Sequence, residues 1–181
     1  VVFLKSGKYI VTKVTDKAFV GKNIIHAGVF IKNDSRTIYN AVYRDGKAGN
    51  VYVKRFSITS VTRDKEYDLT QGKPDSQLLW FSANPNGEAE VLKVFLKPRP
   101  KLKKLIYDFD FASIAVKGRA SMGNILSKNP IHKVQLKSKG VSTIGGKPIW
   151  FDPDINRLNE DSHGEYLGEF HSNDLILAVL K

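Results

Sequence analysis

The stretch Thr37-Ile38-Tyr39-Asn40-Ala41-Val42-Tyr43-Arg44, then Asp45-Gly46-Lys47-Ala48-Gly49-Asn50, then Val51-Tyr52-Val53-Lys54-Arg55-Phe56-Ser57-Ile58-Thr59 reads as a β-hairpin. Both arms are rich in β-branched and aromatic residues, which fit a pleated surface, and the segment between them holds the Asp, Gly and Asn that turns require. The pattern extends in both directions. Upstream, residues 1–5 and 8–14 flank Ser6-Gly7. Downstream, Leu105, Tyr107, Phe109 and Phe111 alternate with Ile106, Asp108, Asp110 and Ala112. That period of two belongs to a strand with one buried face. Residues 77–83, 89–96, 132–138, 148–151, 166–170 and 174–180 are further predicted strands. Helical periodicity is nearly absent, so the predicted class is all-β.

A weak repeat runs through these hairpins. Val2-Phe3-Leu4 with its turn at Gly7 resembles Val42-Tyr43-Arg44 with its turn at Gly46. Val94-Phe95-Leu96 before Pro98 and Pro100, and Ile149-Trp150-Phe151 before Asp152-Pro153-Asp154, follow the same plan. Each hairpin leads into a polar, Gly-containing loop, at residues 16–22, 63–72, 117–124 and 160–168. Repeats of about 40–50 residues mark propeller-like blades. The expectation is one domain over residues 1–181 with four units at 1–36, 37–88, 89–140 and 141–181.

The chain has 181 residues, 41% hydrophobic and 26% charged, which excludes disordered and collagen-like classes. No apolar run approaches the roughly 20 residues of a membrane span. Zero Cys removes disulfides, thiolate zinc sites and a cysteine nucleophile. The opening Val1-Val2-Phe3 lacks an initiator Met and already reads as a strand, so the chain is expected to be a piece of a longer one.

The net charge of +11 is unevenly distributed: residues 1–151 carry +16 and residues 152–181 carry −5. Residues 111–151 hold no acid at all, yet contain Lys117, Arg119, Lys128, Lys133, Lys137, Lys139 and Lys147. Lys93, Lys97, Arg99, Lys101, Lys103 and Lys104 lie just upstream. Clustered cations point to a polyanionic partner, foremost nucleic acid. A merely solvated basic surface is the plain alternative.

Catalytic constellations fare poorly. Gly118-Arg119-Ala120-Ser121-Met122-Gly123-Asn124 lacks the Lys-Ser/Thr of a phosphate loop. Asp152, Asp154 and Asn156 mimic a calcium loop, but Arg157 replaces the turn Gly and His163 the bidentate Glu, so a polar hairpin tip is the better reading. His163, Glu165 and His171 could approach a metal, but residues beside turns are commonly plain surface residues. His26 and His132 read as core or edge residues. No nucleophile, base and metal set stands apart, so no catalytic or metal site is predicted, leaving a β-rich enzyme with an unadvertised site as a rival.

Four segments carry a family resemblance: residues 12–23 with Lys17 and Lys22, residues 61–68 with Arg63, residues 117–124 with Lys117 and Arg119, and residues 136–141 with Lys137 and Lys139. Together they resemble the C-terminal domain of bacterial type IIA topoisomerase A subunits, in particular the topoisomerase IV branch of Bacteroidetes-like bacteria. The resemblance implies a β-pinwheel, a propeller-like ring whose blades exchange strands and whose basic rim binds and bends duplex DNA. It implies no cofactor in this domain. In the full enzyme it implies ATP, Mg2+, a dimer of the subunit that carries this domain, a separate ATPase-bearing subunit, a bacterial cytoplasmic location at the nucleoid and no membrane. The Gln-Arg-Arg-Gly-Gly-Lys-Gly box of the corresponding gyrase chain is absent; residues 117–124 keep Gly118, Arg119 and Gly123 around Ala120-Ser121-Met122. That departure favours decatenation and relaxation over gyrase-type supercoiling, with gyrase-like wrapping or a protein-interaction propeller as alternatives. The cleavage tyrosine of the family lies outside this chain. The expected DNA-contacting residues are Lys17, Lys22, Lys54, Arg55, Arg63, Lys117, Arg119, Lys128, Lys133, Lys137 and Lys139, led by Lys133 and Lys137, which stand four apart on one strand and so share a face.

Overall fold

The computed structural model describes residues 1–170 and Asp174. In chain order the strands are β1 (Val2–Leu4), β2 (Lys8–Ile10), β3 (Ile24–Ala27), β4 (Ile38–Arg44), β5 (Val51–Ser57), β6 (Glu66–Asp68), β7 (Gln77–Asn84) and β8 (Val91–Leu96). They continue as β9 (Ile106–Asp110), β10 (Val116–Gly118), β11 (Asn124–Ser127), β12 (Ile131–Ser138), β13 (Lys147–Asp152), β14 (Arg157–Asn159) and β15 (Glu165–Phe170). One 3-10 turn, Phe111–Ser113, is capped by the Asp110 carboxylate, which accepts from the Ala112 amide. Among the described residues no helix is long and apolar enough to cross a membrane.

Among the described residues four sheets result, ordered β3-β1-β2-β6, β10-β5-β4-β7 with β11 also on β5, β12-β8-β9, and β14-β13-β15. Neighbouring sheets exchange strands. β6 follows β5 in the chain yet pairs back with β2, Lys8 opposite Asp68. β10 and β11 follow β9 yet both pair back with β5 of the second sheet. All pairings are antiparallel except β10 on β5. The fold is therefore all-β, made of small sheets sharing strands in the manner of a β-pinwheel, with no closed barrel among the described residues.

The core explains why the second sheet is central. One cluster joins Phe3 and Tyr9 of the first sheet to Tyr39, Ala41, Tyr43 and Phe56 of the second. A second cluster joins Val42, Val51 and Val53 to Leu92, Val94, Phe111 and Ile131 of the third sheet and its connections. The β4–β5 hairpin is thus covered on both faces, and all but the last residue of each arm is buried. Burying each large apolar side chain contributes roughly 1.5–3 kcal/mol.

The hairpins expected at residues 1–14, 37–59 and 94–111 form, and Tyr107, Phe109 and Phe111 face inward while Ile106, Asp108 and Asp110 are exposed. The polar loops differ from expectation: residues 63–72 contain β6, residues 117–124 begin within β10 and reach β11, and residues 160–168 run into β15. These short strands are polar because they sit at sheet edges, where one side faces water. The strand expected at 174–180 lies outside the described residues, apart from Asp174.

Candidate nucleic-acid interface

The third sheet has one apolar and one cationic face. Along β8, Leu92, Val94 and Leu96 are buried, while Val91, Lys93 and Phe95 point the other way and are half-buried. Register sets Lys93 between Asp108 of β9 and Gln135 of β12, and Phe95 between Ile106 and Lys133. Lys133 Nζ stands 4.6 Å from the centroid of the Phe95 ring. Lys137 Nζ donates to Asp108 Oδ2 at 2.5 Å, although the register slips between Leu136 and Ser138. Lys133 and Lys137 therefore share the outward face. The hydrogen bond from Lys137 leads in holding the Asp108 carboxyl below its ordinary value, and the charges of Lys93 and Lys104 add to it. Three lysines thus act on Asp108, and Asp110, two residues on along β9 and opposite Val91, sets a second carboxylate at the edge of the same face.

The loop at 119–123 is built differently. β10 runs parallel to β5 beside Arg55–Ser57, β11 runs antiparallel beside Val51–Val53, and the chain bulges outward between them at the level of Lys54. Lys54 Nζ donates to the carbonyls of Leu69 (2.6 Å), Arg119 (2.9 Å) and Ser121 (3.4 Å), pinning the loop from beneath. Gly123 packs so tightly that an added Cβ would lie 2.5 Å from the Val53 carbonyl oxygen, and its amide donates to Tyr43 Oη at 3.2 Å. Arg119 lies 4.5 Å above the Tyr67 ring and donates to the Ser60 carbonyl. Lys117 is exposed, with Nζ 3.3 Å from Asn124 Oδ1.

Two expected DNA contacts are corrected. Lys54 is 3% exposed and Arg55 2% exposed, because β5 is covered on both faces. Arg55 spends its donors on Asn40 Oδ1 (3.1 Å), the Gly87 carbonyl (2.7 Å) and Thr143 Oγ1 (3.1 Å). Both are internal struts that cannot reach phosphate. Lys17, Lys22, Arg63, Lys117, Lys128, Lys133, Lys137 and Lys139 are exposed, and Arg119 is half-buried. They do not form one patch. Lys17 and Lys22 lie on the loop between β2 and β3, Arg63 borders an apolar groove beside the first sheet, and Lys139 lines a hollow with Glu88 and Glu90. Lys93 and Lys104 were missed as site residues, although the upstream basic cluster was visible in the sequence.

Ligand atoms of Asp152, Asp154 and His163 lie within 4.8 Å of one another, so three residues of the calcium-loop pattern set aside as a polar hairpin tip do come together. Asp152 already accepts from the Asp154 amide at 2.9 Å and lies 3.5 Å from His163 Nε2. His26 is half-buried against Phe3 and Phe81, where burial lowers its pKa, and His132 is exposed. His171 lies outside the described residues.

Comparison with known proteins places this geometry in a lineage. The A subunit of DNA topoisomerase 4 from Borreliella burgdorferi is 28% identical over 138 residues, which covers 76% of this chain but only 20% of that protein. No solved structure matches. The family described as the topoisomerase C-terminal domain of Bacteroidota matches residues 1–139, and this chain belongs to it.

Proposed function

We propose that this chain binds duplex DNA without sequence preference and bends it, as an accessory domain of the DNA-cleaving chain of a topoisomerase IV-type enzyme. The outward face of the third sheet carries the reading: Lys93, Lys133 and Lys137, with Lys104 close enough to act on Asp108, outnumber the two carboxylates there, Asp108 and Asp110. Such a face neutralises phosphates and releases counterions, giving affinity indifferent to base sequence. Binding along a curved surface offsets a bending cost of about 1–6 kcal/mol for a 40–90° bend. Within a longer chain that dimerises, the domain steers DNA segments for strand passage in the bacterial cytoplasm, driven by ATP hydrolysis on a separate ATPase-bearing chain. The absent gyrase box supports decatenation and relaxation over supercoiling.

The test is a duplex-DNA titration at several salt concentrations. Log affinity is expected to fall linearly with log salt, by about 0.9 per neutralised phosphate. Lys133→Glu with Lys137→Glu should weaken binding to every sequence and flatten the slope by roughly 2. Affinity independent of salt would defeat the proposal. That outcome would favour a protein-interaction role, for which the groove of about 690 Å³ lined by Val11, Val14, Val29 and Phe30 is the supporting observation.

A further inference from the structure

Strand exchange creates a second basic feature at one end of the second and third sheets. Three turns meet there: the β4–β5 tip at residues 45–50, the β8–β9 tip beginning at Lys97, and residues 128–130 between β11 and β12. The last is a crossover, because β11 pairs with β5 in the second sheet and β12 with β8 in the third. It carries Lys128 into the space between the other two tips, and the Lys97 amide donates to the Pro130 carbonyl at 2.9 Å, fastening two of the turns together. The result is a cleft of about 430 Å³ whose charged lining is Arg44, Lys47, Lys97, Arg99 and Lys128, with no carboxylate among the described residues that line it.

These cations are available. Among the described residues, Lys47, Lys97, Arg99 and Lys128 are exposed and form no ion pair. Arg44 is steadied beside the cleft by the carbonyls of Gly46 (2.9 Å) and Asp75 (3.3 Å). The nearest acid of these tips, Asp45, is buried and paired with Lys73 at 2.9 Å. Lys97 and Arg99 each precede a proline, as does Asn129 after Lys128. Prolines restrict both themselves and the preceding residue, so little backbone freedom is lost on binding. Gly49 lets the β4–β5 tip close tightly, since an added Cβ would lie 1.7 Å from the Asp45 carbonyl oxygen.

We propose that this cleft is a phosphodiester-binding site that holds one strand of the DNA backbone at the junction of the second and third sheets. The inference rests on the DNA-binding reading above and adds a locus to it. Lys133, opposite Phe95 near the cleft end of β8, continues the track onto the outward face. A phosphate contact from such a site positions the duplex and carries no sequence information of its own.

The experiment compares two charge-matched double variants of the 181-residue chain. Lys97→Ala with Lys128→Ala removes two cleft charges; Lys13→Ala with Lys32→Ala removes two from the edge of the apolar groove beside the first sheet. All four side chains are exposed, and circular dichroism checks that both variants keep the fold. Duplex affinity of the cleft variant is expected to fall about tenfold or more, with the salt slope reduced by roughly 2, while the control changes affinity less than about threefold. Arg99→Lys in the unaltered background should retain most binding, as a phosphate contact needs charge more than a particular fork. Equal losses in the two double variants, with the unaltered chain binding well, would overturn the cleft and leave the DNA-binding reading standing. No duplex binding by the unaltered chain would overturn both.

Discussion

Lys54 and Lys133 are the same residue type in strands of similar length, yet they have opposite fates. Lys133 rests on a single ring and keeps its ammonium in water, where its charge is free to meet phosphate. Lys54 sits within the second sheet, and burial pushes its pKa down to about 8 from 10.5. Its folded pKa is depressed, so below pH 8 the folded chain bears the whole cost of the buried charge. Between about 8 and 10.5 the unfolded chain holds a proton that the folded chain has shed, so stability gains from this residue across that window, by roughly 3 kcal/mol at most. Lys54 Cε is therefore expected to titrate near pH 8 by NMR. In Lys54→Met the rise in unfolding free energy over that window should be lost, as followed by urea denaturation; an unchanged pH profile would count against the assignment.

β5 does at the level of elements what Lys54 does at the level of residues. It pairs with β4 on one side, while β10 and β11 divide its other edge, leaving the 119–123 loop to emerge between them. Gly123 closes that junction. Gly123→Ala sets a methyl 2.5 Å from the Val53 carbonyl oxygen, a backbone atom that cannot swing aside, and is expected to destabilise the chain by about 1–3 kcal/mol in chemical denaturation. An effect near zero would mean that the junction is slack. The strands legible in the sequence were those with strong local signals, such as the alternation of Tyr107 and Phe109 with Asp108. β6, β10 and β11 were not legible, because three or four mostly polar residues gain strand geometry only from a partner far away in the chain. The same distance hid the fate of Lys54 and Arg55: alternation can indicate one covered face, but the second face of β5 is covered by residues much later in the sequence. The cationic face around Lys133 was legible because its charge lies in an acid-free run, whereas the tip cleft depends on a crossover that no local pattern announces.

For the molecule as a whole, shared strands mean that no sheet among the first three is finished by its own hairpin alone. A chain ending at residue 115 keeps β4, β5, β8 and β9 but loses β10, β11 and β12, exposing an edge of β5 and an edge of β8. Bare edges recruit other chains. Such a truncation is expected to self-associate in light scattering, while a chain ending at residue 146, which retains every strand of the first three sheets, should stay monomeric. Monomeric behaviour of the shorter chain would show that the borrowed strands are dispensable. There is also a consequence in time. Val53 waits for Asn124 to be made before its outer edge is occupied. At a synthesis rate of about 5–20 residues per second, that interval is on the order of several seconds. Throughout it, the hairpin that ends up most deeply buried carries an unsatisfied flank, a liability that belongs to the making of the chain and that its final stability does not register.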